Sequence, residues 1–165
     1  VVPTLSPSMD IQIPSNFERL LFEMRQRDGS KVKNTLAEFR RSGELTILPA
    51  ELTEIQKKWS SARIDDDRTL RTIAEIYKET GELVDPHTAV GIAAGKEKRS
   101  SEQIPLVCLG TAHPGKFPEA VIKATGKKPE LPNQVHDLYE RTEHYSVLPN
   151  DYDIVKSHIE KAVQG

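Results

Sequence analysis

The sequence predicts an α/β fold that is mostly helical, with few strands and a sheet completed by residues outside the chain. Three observations predict it. Seven or eight stretches carry helical signals, against one firm strand, "LVCLG", from Leu106 to Gly110. That strand is apolar on both faces, the pattern of a central parallel strand covered on both sides. A lone strand leaves its backbone donors and acceptors unpaired, and even a two-stranded hairpin is marginal in water. A firm strand without a firm partner therefore points to a sheet elsewhere. The opening "VVPTLSPSMD" has no initiator methionine, basic n-region or apolar signal core, and reads as if cut from a longer chain.

Residues 1–105 read as a mainly helical segment. Ser15 with Glu18 three residues on fits a capping box, and Phe17, Leu20, Leu21 and Met24 then share one helical face, with Gly29 as the stop. "KVKNTLAEFRRSG" reads as a shorter helix ended by Gly43, and Glu44 to Leu48 as a short extended piece. Pro49 suits a first helical turn, and Leu52, Ile55 and Trp59 follow at spacings of three and four. "DDDRTLRTIAEIYKETG" has acids at its start, a stripe of Leu70, Ile73, Ala74 and Tyr77, and Gly81 as its C-terminal stop. "DPHTAVGIAAGKEK" begins with Asp85 as N-cap and Pro86 at the first helical position.

Residues 106–125 read as the strand, a turn and the helix "FPEAVIKATG" closed by Gly126. Residues 126–165 read as a proline-broken loop and two helical stretches, "QVHDLYERTEHY" and "YDIVKSHIEKAV". The whole, residues 1–165, reads as a single fragment rather than several domains.

Composition narrows the function. The 165 residues suffice for one domain with a core. With 23 basic and 25 acidic side chains, intermixed, the net charge of -2 gives no field to gather nucleic acid or an anionic membrane surface. One cysteine, Cys108, precludes an internal disulfide, so a reducing, cytoplasmic setting is the expectation. It falls inside the apolar run, where cysteine packs as a small hydrophobe. No apolar run approaches the roughly 18–20 residues that span a bilayer.

Few residues point to chemistry. None of the five histidines pairs with another metal ligand at a diagnostic spacing, so no metal site is expected. His136 and His158 read as surface residues and His144 as a helix-end charge. His87 lies in a first helical turn, where a cation is unwelcome, and reads as a neutral ring bonded to a loop. His113 follows the strand and is balanced between a ligand and a turn residue. Asp65 to Asp67 read as helix capping rather than a cation site. Gly91 and Gly95 read as close packing or a helix stop. Thr111 stands at the carboxyl end of the strand, where ligands of open α/β sheets sit; bonding within its own turn is the simpler alternative.

Three stretches, "VVPTLSPSMDIQIPSNFERLLFE", "DPHTAVG" and "CLGTAHPGKF", in that order, resemble blocks of the C-terminal part of the threonine synthase family, in its longer bacterial and fungal form. The resemblance runs from Val1 through Phe117. It implies a fold-type II enzyme dependent on pyridoxal phosphate, a lyase, of which this chain is roughly the last third. The implied reaction converts O-phospho-L-homoserine and water to L-threonine and phosphate. Protons leave the substrate, phosphate departs by elimination across the β,γ bond, and water adds at the β-carbon. The family's Schiff-base lysine and its glycine-rich, asparagine-containing phosphate loop have no counterpart here. The chain alone is therefore expected to be inactive, with no catalytic residue of its own and the N-terminal part of the enzyme as its partner. Lys116 belongs to the third block and is not the Schiff-base lysine. By motif, Thr111 takes the place of the hydroxyl that faces the pyridine nitrogen of the cofactor. The family usually carries alanine where Gly115 stands. The first two blocks are expected to shape loops and pack a helix under the site. The competing reading is a non-catalytic helical interaction module, supported by the helix count, the even charge and the incomplete site.

Overall fold

The computed structural model describes residues 2–12 and 14–164. The described residues form seven α-helices: α1 (Ser15–Met24), α2 (Gly29–Ser42), α3 (Pro49–Gln56), α4 (Asp66–Thr80), α5 (Pro86–Lys98), α6 (Pro118–Thr125) and α7 (Tyr152–Gln164). Short 3-10 turns lie at Pro7–Met9, Pro114–Lys116, Asn133–Val135 and Leu138–Glu140. The chain divides into two units, residues 1–130 and 131–165.

In the first unit, α4 packs against both α5 and α6. Ile73 of α4, Ala89 and Ala93 of α5, and Ala120 and Val121 of α6 are all buried there. Small residues on α5 and α6 let their backbones approach the larger side chains of α4. The ends of α4 are fixed by its own sequence. The Asp65 carboxylate accepts the Arg68 N–H at 2.8 Å, and Gly81, at φ 79°, takes the left-handed turn that an L side chain resists. A second, smaller core joins α1 to α2 through Leu21, Val32 and Leu36.

The expected strand is not formed. Among the described residues there is no β-strand, and Leu106 to Gly110 has no regular secondary structure. Val107 and Leu109 are 80% and 77% exposed. The physical reason is the one anticipated for a strand alone: a ladder needs a partner, and no described segment pairs with this one. Glu44 to Leu48 is likewise irregular.

Four further expectations need correction. The N-cap of α1 is Pro14, whose side chain bonds nothing, so Ser15 lies inside the helix and makes no capping box. Gly29 opens α2 rather than closing α1. The first helix ends earlier because Gln26 and Arg27 turn left-handed, at φ 58° and 61°, and the Arg27 N–H reaches back to the Phe22 carbonyl at 2.9 Å. Asp28 then caps α2, which at 14 residues is longer than α1 at 10, not shorter. In the second unit, the stretch expected as a helix over 134–145 contains only two 3-10 turns. The His136 ring takes the Asn133 carbonyl at 2.9 Å, and Arg141 grips Asp137 and the Gln134 carbonyl, bonds that compete with a helical ladder. In α3, Ile55 is half-buried and Leu52 is 44% exposed, while Trp59, 61% exposed, lies beyond the helix end.

Arg25 ties the end of α1 to α2 and α3. Its guanidinium meets the Glu51 carboxylate at 2.9 Å and 3.4 Å and also bonds the Thr35 hydroxyl. Glu51 also accepts the Leu48 N–H at 3.1 Å, which fixes the entry to α3.

Candidate functional site

The N-terminus of α5 is where distant parts of the first unit meet. A helix start leaves several N–H groups without partners. Here Asp85 supplies the acceptor and Pro86 fixes the first turn. Asp85 Oδ1 accepts the N–H of His87 at 2.9 Å and of Thr88 at 3.4 Å. The cap is fully buried, with Asp85 at 0% exposure and His87 and Thr88 almost as enclosed.

The His87 ring reaches two ways. Nδ1 lies 2.9 Å from Asp85 Oδ1, and Nε2 accepts the Ser8 N–H at 3.1 Å. A nitrogen that accepts cannot carry a proton, so the ring is the neutral tautomer with its hydrogen on Nδ1, donated to Asp85. The Phe117 ring stands edge-on to it, with centroids 4.7 Å apart. This is the neutral, loop-bonded histidine that the sequence led us to expect. The loop it holds is ordered by two acids, its own Asp10 and Asp66 at the start of α4. Asp10 accepts the Thr4 N–H and hydroxyl at 2.8 Å and 2.9 Å, and Asp66 accepts the Leu5 N–H at 3.0 Å. Beside this loop opens a cleft of about 720 Å³ between Met9, Ile11, Arg63 and Val90.

Thr88 makes the third connection. Its hydroxyl donates to Asp85 Oδ2, and its oxygen accepts the Thr111 N–H at 3.1 Å. The Thr111 hydroxyl itself bonds nothing among the described residues, and the residue is exposed. On the near side of this turn, Leu106 rests on α5. A Cβ placed at Gly95 would stand 3.1 Å from its two methyl carbons, so Gly95 serves close packing. At Gly91 the same test meets nothing. Arg99 holds the connecting loop through the carbonyls of Ser101, Glu102 and Ile104.

His113 is occupied by the turn. Its Nδ1 accepts the Gly115 N–H at 3.1 Å and caps the Pro114–Lys116 turn, with Gly115 buried. Lys116, His136, His144 and His158 are exposed, and Cys108 is half-buried. Asp65 and Asp66 are engaged by backbone N–H groups, and among the described residues no cluster of His, Cys, Asp and Glu could hold a metal ion. No described helix is long and apolar enough to cross a membrane. Sequence reasoning placed Asp85 as a cap and passed over Thr88. The available signal was "DPHT" itself, with polar side chains clustered at the start of a helix whose next residues are small.

Ser8, the pair His87 and Thr88, and the pair Thr111 and Phe117 come from three separate stretches of sequence. A family model described as threonine synthase, C-terminal, matches residues 88–159. Threonine synthase of Pseudomonas aeruginosa is 49% identical over 158 residues, covering 95% of this chain and 34% of the relative. A crystal structure of threonine synthase from Brucella melitensis with bound pyridoxal phosphate superposes with a TM-score of 0.81 at 42% identity, covering 100% of this chain and 35% of that one. Threonine synthase from yeast gives a TM-score of 0.77 at 30% identity, covering 99% of this chain and 37% of that one. The chain thus spans about a third of the length of the relatives it matches. By sequence and by fold, it belongs to the threonine synthase family, in which it matches the C-terminal portion.

Proposed function

We propose that this chain is the C-terminal third of a threonine synthase that uses pyridoxal phosphate, converting O-phospho-L-homoserine and water to L-threonine and phosphate, and that Thr111 contacts the cofactor ring. One observation carries this reading. The three stretches that resemble the family converge on the N-terminus of α5, which fixes the Thr111 backbone and leaves its hydroxyl unengaged among the described residues. A fixed backbone bearing an unengaged hydroxyl fits a ligand heteroatom. Pyridoxal phosphate, when bound, supplies an aromatic ring that draws electrons from the substrate. The Thr111 hydroxyl would donate one hydrogen bond to the ring nitrogen and leave it unprotonated, where a carboxylate would hold a proton on it. That choice tempers the electron withdrawal.

The rest of the reading concerns what this chain does not supply. The lysine that moves protons and the loop that binds the cofactor phosphate belong to the remaining two thirds. Residues 106–110 join a sheet provided by that part, in a fold-type II lyase of the cytoplasm. The exposed Val107 and Leu109 support this, because apolar side chains at that exposure in an extended segment suit a surface that is later covered.

The test compares the chain alone with the chain joined to the remaining part. The joined protein is expected to release phosphate from O-phosphohomoserine and to show the visible absorbance of bound cofactor. The chain alone should do neither. Turnover by the chain alone would overturn the fragment reading, and no phosphate release from the joined, cofactor-loaded protein would overturn the activity.

A further inference from the structure

We propose that Thr88, held by Asp85, is the positioning residue of the Thr111 turn, setting where the Thr111 hydroxyl stands without touching the cofactor. The proposal rests on the reading of Thr111 as a cofactor contact.

A threonine hydroxyl has one hydrogen to donate and lone pairs that accept. If it rotated freely, Thr88 could aim that hydrogen at the Thr111 amide, and two donors would face each other. Asp85 removes this freedom. Its Oδ2 only accepts, so the Thr88 hydrogen goes there, and the oxygen presents a lone pair to the Thr111 N–H at 3.1 Å. Asp85 cannot swing away, because it is fully buried and its other oxygen already takes two backbone N–H groups and the His87 ring.

The turn needs such an anchor. Among the described residues, no other hydrogen bond ties 105–112 to the chain. Leu106 packs on Gly95, but four residues separate it from Thr111. A residue that neither pairs in a ladder nor packs in a core takes its position from what holds its backbone. For Thr111 that is Thr88, 23 residues earlier.

The test uses Thr88→Val, which keeps the shape and removes donor and acceptor, and Thr88→Ser, which keeps both. In the holoenzyme containing this chain, Thr88→Val should weaken pyridoxal phosphate binding about tenfold. It should shift the cofactor's visible spectrum in the same direction as Thr111→Val and speed amide exchange at Thr111 by at least about tenfold. Thr88→Ser should restore all three. The double variant should lose no more than Thr111→Val alone. Losses that add, or an unchanged Thr111 exchange rate in Thr88→Val, would overturn the positioning role alone. If Thr111→Val leaves affinity and spectrum unchanged while Thr88→Val still speeds Thr111 exchange, the cofactor contact falls and the role with it, and only the bond remains. Should Thr88→Val fail to fold, the unsubstituted holoenzyme decides. The Thr111 amide should exchange more slowly than that of Ala112, which lies beyond residues 106–110 and has no bonded partner among the described residues, and equal rates would overturn the proposal.

Discussion

The Thr88 hydroxyl oxygen lies 3.1 Å from the backbone nitrogen of Thr111. That contact joins a helix start to a turn that pairs with no strand among the described residues. Behind it stands Asp85, whose two oxygens serve the helix N-terminus, the His87 ring and the Thr88 hydroxyl together. Through His87 and Thr88, the Ser8 loop and the Thr111 turn are both tied back to this one buried carboxylate.

Asp85→Ala should therefore cost more than an ordinary helix cap. Losing the cap costs about 1 kcal/mol, and burying donors without partners adds about 1–3 kcal/mol. A total near 3 kcal/mol is expected from urea unfolding. Asp85→Asn, which keeps a capping oxygen, should cost about 1 kcal/mol. A loss below about 1 kcal/mol for the alanine variant would show that this carboxylate is no hub.

Parts of this arrangement were legible in the sequence. Asp65 and Gly81 bound α4, Asp85 and Pro86 start α5, and Gly126 ends α6, because caps and left-handed glycines act locally. Local signals misled where a tertiary bond outweighed them. Ser15 and Glu18 suggested a cap, but the chain enters α1 through Pro14. Gly29 suggested a stop, but Gln26 and Arg27 had already turned. Thr111 stood out through its place after an apolar run and through the family resemblance. Thr88 did not, since its partner is 23 residues away and no spacing rule links the two. The strand was read from its apolar pattern, and that pattern cannot say whether its partner lies within the same chain.

Acid should weaken the tie between α1 and α3. The Arg25 guanidinium, bonded to Glu51, holds that carboxyl below its ordinary range; burial opposes this, and the Leu48 N–H reinforces it. In the unfolded chain the same carboxyl titrates near about 4.3. Because the folded value is the lower, the pair's contribution is fully present above that pH and is lost as pH falls through the folded value. Arg25→Ala should cost about 2 kcal/mol, less than the roughly 3–5 kcal/mol of a fully buried pair, because water still reaches the carboxylate. Unfolding measured from pH 7 to pH 3 should be less pH-dependent in Glu51→Gln. An unchanged slope would show that the pair adds nothing.

The two α5 glycines should respond differently to alanine. Alanine replaces the conformational freedom of a helical glycine, a gain of up to about 1 kcal/mol. At Gly91 a Cβ meets nothing within 4 Å, so Gly91→Ala should approach the full gain in this chain. At Gly95 it would crowd both Leu106 methyl carbons at 3.1 Å, and the leucine must move by a few tenths of an ångström. Gly95→Ala should gain less, as read by thermal unfolding. An equal or larger gain at Gly95 would show that Leu106 does not rest on the helix in solution.

Val107 and Leu109 separate the chain alone from the chain in its enzyme. At 80% and 77% exposure, neither side chain contributes much to the fold of the isolated chain. Val107→Thr and Leu109→Thr keep side chains suited to an extended backbone. In the chain alone they should leave the unfolding free energy within about 0.5 kcal/mol and reduce aggregation and dye binding, since they remove exposed apolar surface. In the joined protein the same side chains would be buried in a sheet covered on both faces. Each substitution should then cost about 1.5–3 kcal/mol, the transfer energy of a buried valine or leucine. The sign of the argument lies in the contrast. Substitutions that are neutral in both forms would mean that this segment stays at the surface, and the completed sheet would have to be abandoned.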